Sequence, residues 1–172
     1  MKLRKLELKD APLMLEWMHD KTVVENLRTD FQKKTLSDCE KFIISSWDDK
    51  RNVNYAITDD NDTYLGTVGL KNVTAESAEF AITIRKCAMG KGYSKEAMTE
   101  VIRLGFEKMY LKCIYWCVSP KNTRAVRFYD KNFFHRVSNE MIKEFALSYT
   151  PEQIATYVWY AEFYKERGGT NI

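Results

Sequence analysis

The sequence predicts an α/β protein of the α+β kind, with one mixed, mostly antiparallel central sheet flanked by helices on both faces. Three observations lead there. The runs "VNYAIT", "TYLGTVGLKNV" and "AEFAITIR" are separated only by "DDND" and "TAES", so they form a meander of antiparallel strands. A helical pattern, "SKEAMTEVIRLGFEKMY", then joins "AEFAITIR" to the β-branched and aromatic run "LKCIYWCVS". A β-α-β unit of that kind sets its two strands parallel. Helical segments before and after these runs supply cover for both faces.

Taken in order, "MKLRKLELK" alternates leucine and charge and reads as a first strand. Asp10 is the expected cap of a helix with Pro12 in its first turn and Leu13, Met14, Trp17 and Met18 on one stripe. Ser37 to Glu40, "SDCE", fits a capping box that opens a second helix through Phe42, Ile43 and Trp47. After the meander, Ala97, Met98, Val101, Ile102, Gly105, Phe106 and Met109 recur at helical spacing. In "PKNTRAVRFYDKNFF", Pro120 turns the chain, Asn122 caps, and Ala125, Val126 and Tyr129 share a face. "RVSNEMI" and "TYVWYAEFY" read as closing strands, giving the order β-α-α-β-β-β-α-β-α-β-β. A single domain over residues 1–166 is expected, with a polar tail at 167–172.

The 172 residues suffice for one domain with a core, and 45% hydrophobic with 30% charged residues is ordinary for a soluble protein. No apolar stretch approaches the roughly 20 residues of a membrane-spanning helix. The N-terminus lacks the apolar core of a signal peptide, so a cytoplasmic location is the expectation. Twenty-seven basic against 24 acidic side chains, well interspersed, argue against a nucleic-acid partner and leave room for a small anion. Of the four cysteines, Cys113 and Cys117 lie about 13 Å apart along one strand, too far to bond. With no C-x-x-C pair and His19 and His135 isolated, no metal is expected.

The informative stretch is "CAMGKGYSKEAM", residues 87–98, where a strand hands over to a helix. Glycines at 90 and 92 permit positive φ and close approach of a ligand to the backbone. The unpaired amides and positive dipole end of the helix favour an anion, a phosphate above all, and Lys91 adds a counter-charge. Neither standard nucleotide motif is present: Lys95 occupies the third glycine position of G-x-G-x-x-G, and the Walker spacing is absent. A plain tight turn remains the competing reading of a bare G-x-G.

Together with "NTRAVRFYDKNFF" some thirty residues on, this stretch resembles the GNAT superfamily of N-acetyltransferases. That family has a Q/R-x-x-G-x-G/A loop after a bulged strand and, downstream, N-x-x-A-x-x-x-Y-x-x-x-G-F. The matching positions are Asn122, Ala125, Tyr129 and Phe134; Cys87 and Phe133 depart from the pattern, and the turn at Phe133 is expected to differ. "KLRKLELKD" and "AEFAITI" look most like the branch of ribosomal-protein N-terminal and spermidine acetyltransferases.

The resemblance implies acetyl-CoA as co-substrate and direct attack by an amine in a ternary complex. It implies a pyrophosphate cradle at Met89, Gly90, Lys91, Gly92, Tyr93 and Ser94. The pantetheine arm would run along Ala81, Ile82, Thr83 and Ile84, with a β-bulge there and a backbone oxyanion donor between Ala81 and Thr83. Asn122 and Lys131 are further cofactor candidates. Tyr129 is the candidate general acid, a phenol of pKa ~10 matched to an alkyl thiolate. Glu79 is the candidate base, directly or through water. A covalent route through Cys87 is the disfavoured variant.

The acceptor is expected to be a small-molecule amine, an amino sugar or polyamine, or a protein N-terminus. Its pocket falls to the two N-terminal helices and the C-terminal strands, where Trp17, Phe31, Trp47, Tyr149, Trp159 and Tyr160 lie. Two rival classes are a non-catalytic acyl-CoA sensor, against which Tyr129 speaks, and an interaction domain whose G-x-G is only a turn. Homodimers are common in the family, and "TYVWYAEFY" is the candidate edge.

Overall fold

The computed structural model describes residues 1–165, so the expected tail at 167–172 lies outside the described residues. Six strands form one sheet in chain order: β1 (Lys2–Lys5), β2 (Val53–Thr58), β3 (Tyr64–Lys71), β4 (Ser77–Ile84), β5 (Cys113–Val118) and β6 (Val158–Phe163). Every neighbouring pair is antiparallel except β4–β5, which the intervening helix makes parallel.

Side-chain alternation gives the sheet two apolar faces. On one, α4 (Tyr93–Glu107) and α5 (Thr123–Lys131) cover Val68, Leu70, Ala78, Phe80, Ile114 and Trp116. Gly105 brings α4 close, since a Cβ there would stand 2.6 Å from Ile114 Cδ1. On the other, α1 (Ala11–His19) and α3 (Leu36–Ser46) enclose Met14, Trp17, Ile43, Ala56 and Tyr64, with α2 (Lys21–Val24) beside them. Farther along that face, α6 (Asn139–Ile142) and α7 (Pro151–Thr156) pack over Tyr115 and Trp159. Between those two helix groups the face carries polar side chains of β3, β4 and β5.

Several local expectations change. Asp10 stands at the N-cap of α1, but its buried carboxylate takes both Arg4 guanidinium nitrogens at 2.8 Å and the Glu7 amide at 2.9 Å. A two-pronged guanidinium contact outweighs a cap for a buried carboxylate. The capping box of α3 is Thr35 with Asp38, so Ser37 lies inside the helix; "TLSD" and "SDCE" are overlapping forms of one motif. "RVSNEMI" is no strand: Arg136 makes a single bridge to Tyr160, and Ser138 then caps α6. The β-bulge expected in β4 is not found, since the β3–β4 register runs unbroken from Gly66–Ile84 to Lys71–Glu79. The candidate dimer edge is covered across its middle. Val137 N donates to Trp159 O (3.1 Å), and Ala161 N donates to His135 O (3.0 Å).

The turn at Phe133 keeps the conformation a glycine would take. Its φ is +62°, its N–H bonds back to Asp130 O, and its ring is 87% exposed. A left-handed conformation costs an ordinary residue roughly 1–2 kcal/mol, less what glycine loses in chain entropy. Phe133→Gly therefore raises stability by about 0.5–1 kcal/mol in denaturant unfolding, and a loss of stability would show that the exposed ring is held by contacts.

Candidate active site

Arg85 fixes the entry to the glycine loop. Its guanidinium grips Glu16 of α1 (3.0 and 2.9 Å) and the Tyr64 carbonyl (2.9 Å). A 3-10 turn over Lys86–Ala88 follows and engages the Met89 amide, which donates to Lys86 O, so Met89 itself gives no amide to a ligand. Gly90 and Gly92 then take φ of +74° and +87°, and a Cβ on either would meet nothing within 4 Å. The constraint is therefore conformational, and the space above both residues is open. Gly92 is the N-cap of α4, whose first bond is Glu96 N to Gly92 O. Among the described residues no acceptor lies on the amides of residues 90–95, which converge at the positive end of a 15-residue helix. Open space, left-handed glycines and unpaired amides together fit a pyrophosphate.

The second feature is a gap in the sheet. β4 and β5 pair only at Ser77–Cys113, Ala78–Ile114 and Glu79–Tyr115. Beyond that rung they part, so Phe80 to Ile84 have β3 on one edge and no strand on the other. Ala81, Ile82 and Thr83 are half-buried there, with backbone groups available to an extended amide-bearing arm. Asn122 caps α5 through Oδ1, which accepts from Ala125 N (3.2 Å), and keeps its amide N–H groups as donors.

Two polar constellations flank the closed end of the gap, one on each face. On the α4–α5 face stands Tyr129, 8% exposed, its ring centroid 5.5 Å from that of Trp116 and 5.0 Å from that of Tyr160. Its hydroxyl has no hydrogen-bond partner among the described residues, yet it is not sealed in, unlike the buried, unpaired Trp116 Nε1. Burial pushes the phenol well above its usual pKa, so Tyr129 stays protonated.

On the other face Glu79 is 3% exposed. It accepts from Tyr149 Oη (2.5 Å), Asn72 Nδ2 (3.2 Å) and the Lys71 ammonium (3.0 Å). Tyr149 Oη also accepts a weak bond from Cys117 Sγ (3.6 Å), and Arg28 stacks its guanidinium 4.5 Å above the Tyr149 ring. Arg28 thereby bridges the loop after α2 to the segment before α7. A cavity of about 410 Å³ adjoins it, lined with Phe31, Lys21, Glu25 and Asp30.

A glycine cradle at a helix N-terminus thus leads into a one-sided gap between parallel strands. The family model described as an acetyltransferase (GNAT) domain matches residues 1–135. The chain belongs to the GNAT acetyltransferase family. An N-acetyltransferase of Bacillus licheniformis, p20, itself uncharacterized, is 27% identical over 139 residues, 78% of each chain. Among solved structures, the spermidine N-acetyltransferase of Vibrio cholerae, in complex with CoA and spermine, superposes with a TM-score of 0.71. It is 22% identical, covering 80% of this chain and 82% of that one. The N-acetyltransferase PseH of Campylobacter jejuni, in complex with acetyl coenzyme A, gives 0.65 at 18% identity, covering 95% and 99%. At such identities the solved structures speak for the shared GNAT fold.

Not every expected residue of this GNAT domain falls at the gap. Lys131 is the last residue of α5, about 12 Å along the helix from Thr123, exposed, and at the end away from the Asn122 cap. The α5 cation beside the glycine loop is instead Arg124, whose Nη1 lies 3.2 Å from Met89 Sδ. Cys87 is exposed on the 3-10 turn, and no contact ties it to the Glu79 or Tyr129 constellation. Lys71, Asn72, Arg28 and Trp116 escaped the sequence reading. Lys71 ends β3 and Asn72 follows it, in a run that read simply as a meander member, and Arg28 lies in a stretch without a periodic signal.

Proposed function

We propose that the protein is an N-acetyltransferase that moves an acetyl group from acetyl-CoA to a primary amine by direct attack in a ternary complex. The observation that carries this reading is the parting of β4 and β5 at the Glu79–Tyr115 rung, between the glycine cradle and Tyr129. The amides of Gly90, Lys91, Gly92, Tyr93 and Ser94 would hold the pyrophosphate, with Lys91 and Arg124 as counter-charges. The open edge of Ala81 to Ile84 would pair with the pantetheine amides, and an N–H of that stretch would stabilise the oxyanion. Tyr129 would donate its proton to the sulfur as the C–S bond breaks. Glu79, on the opposite face, would serve as proton acceptor on the amine's side.

For the acceptor, a polyamine calls for carboxylates facing the groove. Glu79 is already paired with Lys71, and Arg28 stands above Tyr149. That charge pattern favours an acceptor with a single amine, such as an amino sugar, over the polyamine bound by the V. cholerae neighbour. A protein N-terminus is the second candidate, since the 410 Å³ cavity is lined by Arg28, which stands over Tyr149.

Acetyl-CoA at one hundred times its Kd stabilises a protein that binds it by about 2.7 kcal/mol, so the Tm rises in a thermal-shift assay. An unchanged Tm at millimolar acetyl-CoA contradicts the reading. Gly92→Ala forces a left-handed alanine at the cradle or realigns its amides. One weakened charge-assisted bond is worth about 1.5–3 kcal/mol. The KM for acetyl-CoA therefore rises about tenfold or more while kcat changes little; an unchanged KM would remove the pyrophosphate from this loop.

A further inference from the structure

We propose that Tyr149 is a catalytic residue that takes the proton from the acceptor's ammonium while passing its own to Glu79. The inference rests on the acetyltransferase reading and goes beyond it, because the proton path is assigned to a residue 70 positions from the presumed base.

The reason is access. Glu79 Oε1 holds both Tyr149 Oη (2.5 Å) and Lys71 Nζ (3.0 Å), and Asn72 Nδ2 holds Oε2 (3.2 Å). The carboxylate side chain is 4% exposed, so an incoming ammonium would have to displace one of these donors. Tyr149 Oη is the uncharged end of the same hydrogen-bond chain. It donates to Glu79, among the described residues accepts only a weak thiol contact from Cys117, and has lone-pair capacity for an amine N–H. Its ring, 8% exposed, lies between the Glu79 niche and the Arg28 guanidinium, which stands 4.5 Å above it.

The surrounding charges fit that task. Arg28 and Lys71 disfavour a second cation nearby, which lowers the acceptor's own pKa and eases its deprotonation. Arg28 over the ring also stabilises the negative charge that gathers on the phenol oxygen during transfer. Cys117 and Tyr115 face the niche from β5, and Tyr157 stands beside Tyr149 (ring centroids 6.5 Å apart). Burial raises the pKa of Cys117 and of Tyr115, so both stay neutral and do not compete for the proton. In the step, one N–H bond of the ammonium breaks and an O–H bond forms at Tyr149. The existing Tyr149 O–H breaks, and a new O–H forms at Glu79 Oε1. One proton moves in net from ammonium to carboxylate, and no electrons leave the system.

The test measures thiol release from acetyl-CoA by wild type, Tyr149→Phe and Glu79→Gln between pH 6.5 and 9.5. The acceptor is whichever of spermine, glucosamine, kanamycin and trialanine wild type uses fastest. The phenylalanine variant keeps the ring under Arg28 and loses only the hydroxyl. Its kcat/KM for the amine should fall about 100-fold near neutral pH, within the usual range for a proton-transfer group. The deficit should shrink steadily as pH rises, because bulk solvent then supplies neutral amine. Affinity for acetyl-CoA should not change. Glu79→Gln should show the same recovery at high pH; if Tyr149→Phe does not fold, wild-type kcat/KM in mixed H2O and D2O decides, a curved dependence from two protons in flight supporting the relay and a linear one from a single proton overturning it. A loss by the same factor at every pH marks Tyr149 as packing only and overturns the proposal, as does no loss. Absence of thiol release by wild type with all four amines would remove the acetyltransferase reading, and the relay with it.

Discussion

Replacing Tyr129 with phenylalanine lowers kcat by about 10²- to 10³-fold while the Kd for acetyl-CoA and the Tm stay near wild type. The asymmetry comes from the environment of the residue. The ring packs against Trp116, Phe128, Phe134 and Tyr160, and phenylalanine preserves all of that. The hydroxyl makes no hydrogen bond among the described residues, so deleting it leaves no partner unsatisfied. What is lost is the proton for the departing thiolate. Burial raises the phenol's pKa above its ordinary ~10, so kcat shows no alkaline break from Tyr129 below about pH 10. The same shift fixes a sign for stability. The unfolded chain ionises this group first, so its contribution is complete below pH ~10 and is lost as pH rises beyond it. Stopped-flow or steady-state thiol release checks the rate, and a kcat within threefold of wild type would exclude Tyr129 as the acid.

Trp116→Ala costs about 3–5 kcal/mol, and the Tm falls by roughly 6–20 °C. Trp116 is 2% exposed on β5, one residue past the last β4–β5 rung. It stacks on Tyr160 at 5.7 Å with an 8° interplanar angle and meets Phe80 and Phe134 edge-on. These rings pack over one face of the sheet beside the last β4–β5 rung, so truncation leaves a cavity there. Trp116→Phe should cost far less than alanine. The indole Nε1 is buried without a partner among the described residues, so removing it breaks none of their hydrogen bonds and relieves a desolvated donor. Denaturant unfolding of both variants checks this. Equal losses would mean that the indole N–H is held by a bond and that the ring volume is not what matters.

Much of the fold was legible because it rests on periodicity. The meander follows from the short links "DDND" and "TAES", and the parallel β4–β5 pair follows from the single helix between them. Gly90 and Gly92 were legible because residues at left-handed φ favour one side-chain type. What failed were local ambiguities. "RVSNEMI" has the composition of a strand but contains a serine cap, Ser138, that opens a helical turn, and "TLSD" competed with "SDCE" for one helix start.

The candidate site divides along the same line. The cradle and Tyr129 sit in contiguous motifs, so sequence spacing finds them. Glu79 was visible as a strand residue, but its partners Lys71, Tyr149 and Arg28 come from three other parts of the chain. Only the sheet register and the two loops over it bring them together. For the same reason Lys131 looked suitable in sequence, while Arg124, in the first turn of α5, is the side chain beside the glycine loop.

The central claim is acetyl transfer to an amine, and thiol release from acetyl-CoA across polyamines, aminoglycosides, amino sugars and peptides tests it most directly. The account predicts amine-dependent release of one thiol per acetylated product, faster with a singly charged amino sugar than with spermine, and nearly abolished in Tyr129→Phe. Binding of acetyl-CoA without thiol release for every amine would contradict it and leave a sensor built on the same fold.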